Sequence, residues 1–274
     1  MQLGIFAKTF SGSVPLTVLS AVKVAGYDVT QFNIACAGLP AMPDEISADT
    51  LAAIRAAVAE TGVAITALSG TYNIIHPDKA VRETGLRRLG VMLEAARALD
   101  VPLVTLCTGT RDPVDQWAHH PDNATPEAWA DLLTEMEKAV ALAEKAGVDL
   151  GIEPEQANVV TSAEDGRKLV AAIGSERIRF VLDPANLFEL ADRDTARRVV
   201  ADAVEKLAGR IAMAHAKDRK ADGSFATAGT GVVDFPDFFT QLRQAGFDGP
   251  VVTHGLSAEE APGVARYLAG LLAP

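Results

Sequence analysis

Eight times along this chain a short β-branched or aliphatic run is followed by a longer Ala- and Leu-rich stretch of helical period, and this alternation restricts the fold more than any single residue does. The strand candidates are LGIFA from Leu3, DVTQFNIA from Asp28, VAITALS from Val63 and VPLVTLC from Val101, then VDLGIE from Val148, IRFVLD from Ile178, RIAMAHA from Arg210 and PVVTHG from Pro250. Strands separated by helices pair in parallel, and eight such units predict closure into a (β/α)8 TIM barrel of the α/β class, one domain over residues 1–274. Ser47, Thr125 and Ser162 stand where helix N-caps are needed, and Gly26, Gly62, Gly147 and Gly246 stand where helices should stop. The rival is an open, doubly wound sheet, but no GxGxxG follows the first strand and no GxxxxGK[ST] occurs. The longest irregular stretch, Thr108 to Asn123, reads as one extended loop after the fourth strand.

Charge and composition narrow the function. Asp and Glu number 36 against 25 Lys and Arg, a net charge of -11, which opposes a nucleic-acid partner because phosphates call for a basic surface. The first residues, MQLGIFAKTF, lack a basic region leading into an apolar stretch. Nor does any run approach the roughly 18 apolar residues of a membrane span, so the expected setting is cytoplasmic, away from membranes. Cys36 and Cys107 are too few for a disulfide framework and are expected to be reduced and buried.

In a closed barrel the carboxyl ends of the strands converge on one mouth, so polar residues there carry more weight than polar residues elsewhere. Four consecutive predicted strands end in metal-ligand types: Glu153, Asp183, His215 and His254. Taken singly, each reads as a cap, an ion-pair partner or a structural histidine. Together on one rim they read as a site for a divalent metal, and a mixed carboxylate and imidazole set suits Mn²⁺, Fe²⁺, Co²⁺ or Zn²⁺.

Four stretches also resemble a known family: GIEPE around Glu153, VLDPAN around Asp183, AHAKD around His215, and TAGTGVVDFPDF from Thr227, which is similar to a glycine-rich turn before a last βα unit. They resemble the xylose-isomerase-like barrels of sugar-phosphate isomerases and epimerases, a superfamily that includes the endonuclease IV type of DNA repair enzyme. SGTYNIIHPD and LCTGTRD look like motifs of one of its branches. The resemblance implies a carbohydrate substrate, one divalent ion with Mn²⁺ as first choice and Mg²⁺, Co²⁺, Fe²⁺ or Zn²⁺ as alternatives, and a homodimer. It implies metal ligands of the order Glu, Asp, His, Glu, matched by Glu153, Asp183 and His215. The fourth departs, because the strand beginning GPVV ends in His254 where the family has Glu. Asn186 stands where many relatives have a substrate-binding His.

These residues imply removal of a carbon-bound proton beside a coordinated oxygen, with Lewis-acid help and with Glu153 as the base. His254 is either the fourth ligand or a proton carrier, since an imidazole bound to metal no longer shuttles protons. Lys217, two residues past His215, should share its side of the strand and meet an oxyanion or phosphate, or else pair with a rim carboxylate. His76 in NIIHPD is expected to contact substrate, with an ordinary turn as its bland alternative. Glu155 and Asn158 lie where they would order a loop or bind hydroxyls, and Trp117, His119 and His120 are expected to form a lid. The functions in play are sugar isomerisation or epimerisation, a lyase or dehydratase sharing its first step, phosphodiester hydrolysis, and a sugar-binding barrel without catalysis.

Overall fold

A computed structural model describes residues 1–272. Strands β1 (Gln2–Phe6), β2 (Val29–Phe32), β3 (Ala64–Ser69), β4 (Leu103–Leu106), β5 (Asp149–Ile152), β6 (Ile178–Leu182) and β7 (Ile211–Ala216) lie side by side in chain order. The sheet closes through β10 (Pro250–Thr253), which pairs with β7 on one side and β1 on the other, Gln2 facing Pro250. All eight pairings are parallel. Helices α1 (Pro15–Val24), α2 (Ala48–Thr61), α3 (Lys79–Ala98), α4 (Pro126–Ala146), α5 (Ala163–Ile173), α6 (Arg193–Leu207), α7 (Phe235–Gln244) and α8 (Ala261–Leu272) form the outer ring, so the TIM barrel read from the alternation is the fold. No helix among the described residues is long and apolar enough to cross a membrane.

The punctuation works as expected. Ser47, Thr125 and Ser162 accept hydrogen bonds from the backbone N–H groups of Thr50, Ala128 and Asp165, and Gly62 and Gly147 end α2 and α4 in the left-handed region. One expectation needs correction. The second strand stops at Phe32 instead of running through NIA, because the Asn33 side chain accepts from Ala35 N and turns Ile34–Ala37 into a 3-10 segment. After His215, β8 (Asp218–Arg219) and β9 (Phe225–Ala226) form an antiparallel hairpin beside the mouth. These two-residue strands are too short to show a period in sequence.

Alternation along the strands separates two cores. Outward side chains such as Val104, Ile152, Phe180 and Leu182 join the large apolar layer between sheet and helices. A smaller cluster of Ala67, Leu103, Val181, Met213 and Val252, flanked by Phe6 and Ala212, fills the barrel interior. Two residues further along each strand, the same inward direction delivers Ser69, Thr105, Asp183, His215 and His254 to the mouth, so the apolar plug is the floor of the polar layer.

Met213→Ala should destabilise the fold by about 2–5 kcal/mol, the range for emptying a fully buried Met site, since Met213 is 0% exposed. Val24→Ala, at 87% exposure, should change stability by less than about 0.5 kcal/mol. Chemical denaturation checks both, and equal midpoints for the two variants would refute the assignment of Met213 to the plug.

Candidate functional site

The mouth encloses a cavity of about 560 Å³ whose lining includes Gln31, Ser69, Thr105, Cys107, Trp117, Glu153, Glu155, Asn186, His215, Lys217, Phe225 and His254. At its base is Asp183, 0% exposed. Asp183 follows β6, and its Oδ1 accepts from Ala185 N, which fixes the carboxylate at the start of the Pro184–Asn186 turn. Its Oδ2 is left for the mouth, where His254 Nε2 donates to it at 3.1 Å while His215 Nδ1 and Lys217 Nζ each stand 3.4 Å away. Ligand atoms of Asp183, His215 and His254 all lie within 4.8 Å of one another. The two imidazoles meet edge to face with ring centres 4.5 Å apart.

Glu153 is beside this trio instead of inside it. Its Oε1 is 3.5 Å from His215 Nδ1 and accepts from Asn186 Nδ2 at 2.6 Å. Asn186 is held in that orientation because its own Oδ1 accepts from Lys217 Nζ at 2.8 Å. Both ends of the Asn186 amide are thus engaged, and the side chain bridges Lys217 to Glu153. Glu155, next to the Cys107 wall, accepts from Asn158 Nδ2, and Asn158 in turn accepts from Gly109 N.

Gln31 sets the direction of His215. Its amide nitrogen donates to Ser69 Oγ at 3.0 Å and Thr105 Oγ1 at 3.3 Å, so its carbonyl faces His215 Nε2 at 3.0 Å and accepts that N–H. The remaining ring nitrogen, His215 Nδ1, is buried, makes no hydrogen bond, and faces the carboxylates of Glu153 and Asp183. A buried polar atom without a partner, aimed at two acids, is what a cation between them would satisfy. The residues present therefore fit a divalent ion held by Asp183, His215 and His254, with Glu153 adjacent.

Titration follows from this crowding. Burial opposes ionisation of Asp183, but Lys217, His215 and His254 outweigh it and hold its carboxyl well below the usual range. Burial likewise opposes the charge on Glu153, yet His215 keeps that acid ionised below its ordinary value. Burial disfavours the His215 cation, but Glu153 and Asp183 win and push it up to about 9. His254 is lowered by burial and by the neighbouring His215 charge. Burial and repulsion from Glu153 raise Glu155 to about 7, and burial pushes the Cys107 thiol up to about 12, so that cysteine is no nucleophile.

Glu153, Asp183, His215, His254, Lys217, Asn186 and Glu155, all singled out in the sequence, are therefore neighbours in one cavity. His76 is not. Its Nδ1 accepts from Asp78 N and its Nε2 donates to Pro113 O, so both nitrogens are bonded to backbone and tie down the loop after β4, and the side chain lines a neighbouring cavity instead of the mouth. Of the expected lid, Trp117 lines the mouth, His119 is exposed, and His120 caps the Pro121–Ala124 turn by accepting from Asp122 N. Sequence reasoning missed Gln31, Lys8 and Phe225. For Gln31 the signal was present, an amide in the fully buried strand VTQF. Phe225 arrives only through the hairpin, where it packs against Lys217 Nζ at 4.0 Å and the Arg219 guanidinium at 4.2 Å.

Comparison with known proteins accords with this geometry. L-ribulose-5-phosphate 3-epimerase UlaE of Escherichia coli O157:H7 is 26% identical over 257 residues, 91% of this chain and 85% of that protein. Among solved structures, 3-keto-D-glucoside 4-epimerase YcjR of E. coli superposes with a TM-score of 0.78 at 17% identity, over 98% of this chain and 99% of that one. An L-ribulose 3-epimerase superposes with a TM-score of 0.77 at 21% identity, over 99% and 94%. These structural likenesses concern the fold. Residues 19–272 match the xylose isomerase-like TIM barrel family, and the chain belongs to that family.

Proposed function

We propose that this protein is a divalent-metal-dependent epimerase or isomerase of a keto-sugar, working by removal of a proton from the carbon next to the carbonyl. The observation that carries this reading is the unpartnered His215 Nδ1, held by Gln31 toward Glu153 and Asp183. Asp183, His215 and His254 would hold the ion, with Mn²⁺ the first choice for a carboxylate and two imidazoles. Such an ion supplies Lewis acidity that stabilises negative charge as it develops on substrate oxygens.

The chain does the rest. Glu153 is ionised and its free oxygen is kept at the edge of the trio by the bond from Asn186, which suits it to take a proton from a carbon beside the carbonyl. Lys217, bonded to Asn186, keeps a positive charge next to the two acids and limits the cost of burying them. Glu155 lines the same cavity and carries its proton up to about pH 7, so it is a second proton-bearing carboxyl within reach of a bound sugar. With His254 committed to the ion, these two carboxyls take the place of a pair of ionised glutamates. The relatives' reactions support the class: a 3-epimerase of L-ribulose or its phosphate and a 4-epimerase of a 3-keto-glucoside each invert a carbon adjacent to a ketone. A lyase would share the proton abstraction and differ in expelling a β-substituent.

Two experiments test the reading. In D₂O with Mn²⁺, the wild type should exchange the proton beside the carbonyl of a ketose, followed by proton NMR across a panel of pentuloses and hexuloses. Glu153→Gln should lower that rate about 10²–10⁴-fold, the range lost with a positioned base. Near-normal exchange in this variant would refute the assignment of the base, and loss of a substituent instead of inversion would identify a lyase. Separately, calorimetric titration with Mn²⁺ should show one site that His215→Ala abolishes and that Gln31→Leu weakens about 10–100-fold, as expected for a partner that orients a ligand. A wild type that binds no divalent ion would remove the metal from the proposal.

A further inference from the structure

We infer that the substrate is an uncharged sugar carrying a second sugar unit or similar polyhydroxylated group, which lies across Trp117, and that it is not a sugar phosphate. This deepens the reading of the mouth as a keto-sugar site and rests on it.

The mouth does not end at Trp117. A second cavity of about 750 Å³ adjoins it, and Met42, Gln116 and Trp117 line both. The lining of this second cavity also includes Tyr72, Thr84, Asp112 and Asp115. The two hollows form a cleft longer than the polar layer around Glu153 and His215, with one indole at the junction.

That indole is presented by a loop whose polar groups are already satisfied. Asp112 accepts from Val114 N and Asp115 N, Asp115 accepts from Trp117 N, and His76 ties Pro113 back to the turn after β3. Trp117 is nevertheless 51% exposed, and Phe225 on the opposite hairpin is 53% exposed. An exposed indole at a polar rim matches the C–H face of a sugar ring, which buries apolar area while its hydroxyls stay at the edge, whereas the Phe225 ring already carries Lys217 and Arg219.

Most positive groups near the two cavities, and the N–H groups of the glycine-rich turn, are already engaged. Loops after the last strands of a TIM barrel often bind phosphate through backbone N–H groups. Here the glycine-rich turn from Thr227 is filled by the buried carboxylate of Asp218, which accepts from Arg219 N, Gly229 N, Gly231 N and Val233 N at 2.8–3.1 Å. A Cβ on Gly231 would come within 2.4 Å of that carboxylate, so the turn is shaped around it. Lys217 is engaged by Asn186 and Asp183, and Arg88 in the second cavity is held bidentately by Asp44. Among the described lining residues of the mouth this leaves Lys8, exposed at the rim, against Glu153 and Glu155. One exposed lysine is a weak match for a dianion that elsewhere draws several directed donors.

A matched trio of ketoses tests this: fructose, fructose 6-phosphate, and isomaltulose, in which O6 of fructose carries a glucosyl group. Binding to the Mn²⁺-loaded protein is measured by calorimetry, and exchange of the carbon-bound proton in D₂O by NMR. Isomaltulose should bind a few-fold to about ten-fold more tightly than fructose, the range one stacked aromatic contributes. Fructose 6-phosphate should gain nothing over fructose. Trp117→Ala should bring the isomaltulose to fructose affinity ratio close to one. Tighter binding of fructose 6-phosphate that Lys8→Ala removes would overturn the inference in favour of a sugar phosphate, and so would an affinity ratio for isomaltulose that is one in the wild type or untouched in Trp117→Ala. If isomaltulose shows the Trp117-dependent gain while no ketose exchanges its proton, the extended sugar site stands and the epimerase reading falls.

Discussion

A carboxylate with no access to solvent lies at the centre of this molecule, and much of the mouth exists to make its charge tolerable. Burying Asp183 alone would cost several kcal/mol even after relaxation, so the fold surrounds it with donors drawn from separate strands and turns: Ala185 N on its own turn, His254 from the end of β10, and His215 and Lys217 from the end of β7. None of these is local in sequence except the first. Pairing of β6 with β7 and of β7 with β10 brings these strand ends together, so the charge is stable only once those three strands have assembled. The same low-dielectric surroundings that make Asp183 expensive make every charge placed near it effective.

The apolar plug and the polar layer are two consequences of one alternation. Val181 precedes Asp183 by two, Met213 precedes His215 by two, and Val252 precedes His254 by two, so each interior plug residue orients a ligand-type residue above it. A rigid floor of this kind keeps side chains from relaxing away from like charges, which is why His215 Nδ1 can remain unpartnered between two acids. Gln31 completes the arrangement by fixing the other ring nitrogen, and its own amide is oriented by hydroxyls from β3 and β4. A neutral amide on the opposite wall of the barrel therefore decides which nitrogen of His215 faces the site.

How much of this could be read from the residues depends on whether the information was local. Strand and helix positions were legible because hydrophobic period, Ser and Thr caps and terminal glycines act within a few residues, and the metal-ligand types were legible because barrel topology converts a position at a strand end into a position at the mouth. Cys36 and Cys107 are free and buried, as their number suggested. What was not legible needed tertiary information. His76 and Gln31 are both polar residues at or near strand ends, and nothing local tells that the first spends its nitrogens on Pro113 and Asp78 while the second reaches across to His215. The hairpin that carries Phe225 was hidden because its register comes from Asp218 gathering the N–H groups of the glycine-rich turn, a contact spanning 15 residues at its widest.

This division also separates chemistry from specificity. Glu153, His215, Lys217 and His254 sit on strand ends or one residue past them, where the sheet fixes their direction to within a side-chain rotamer, and Glu155 follows three residues past β5. The groups that would measure the rest of a substrate, Met42, Trp117 and Phe225, sit on the connections after β2 and β4 and on the hairpin after β7. Those connections are held by contacts of their own, such as Asp112 with Val114 and Asp115, and not by the barrel ladder. They can therefore change length and residue without disturbing Asp183 or His215. A change at His254 alters the strand-end set itself, whereas the internal anion at Asp218 and the indole at Trp117 lie on connections outside it. On the proposed reading, what a substrate meets beyond the strand-end set belongs to the loops and is to be read from their polar satisfaction and exposed faces.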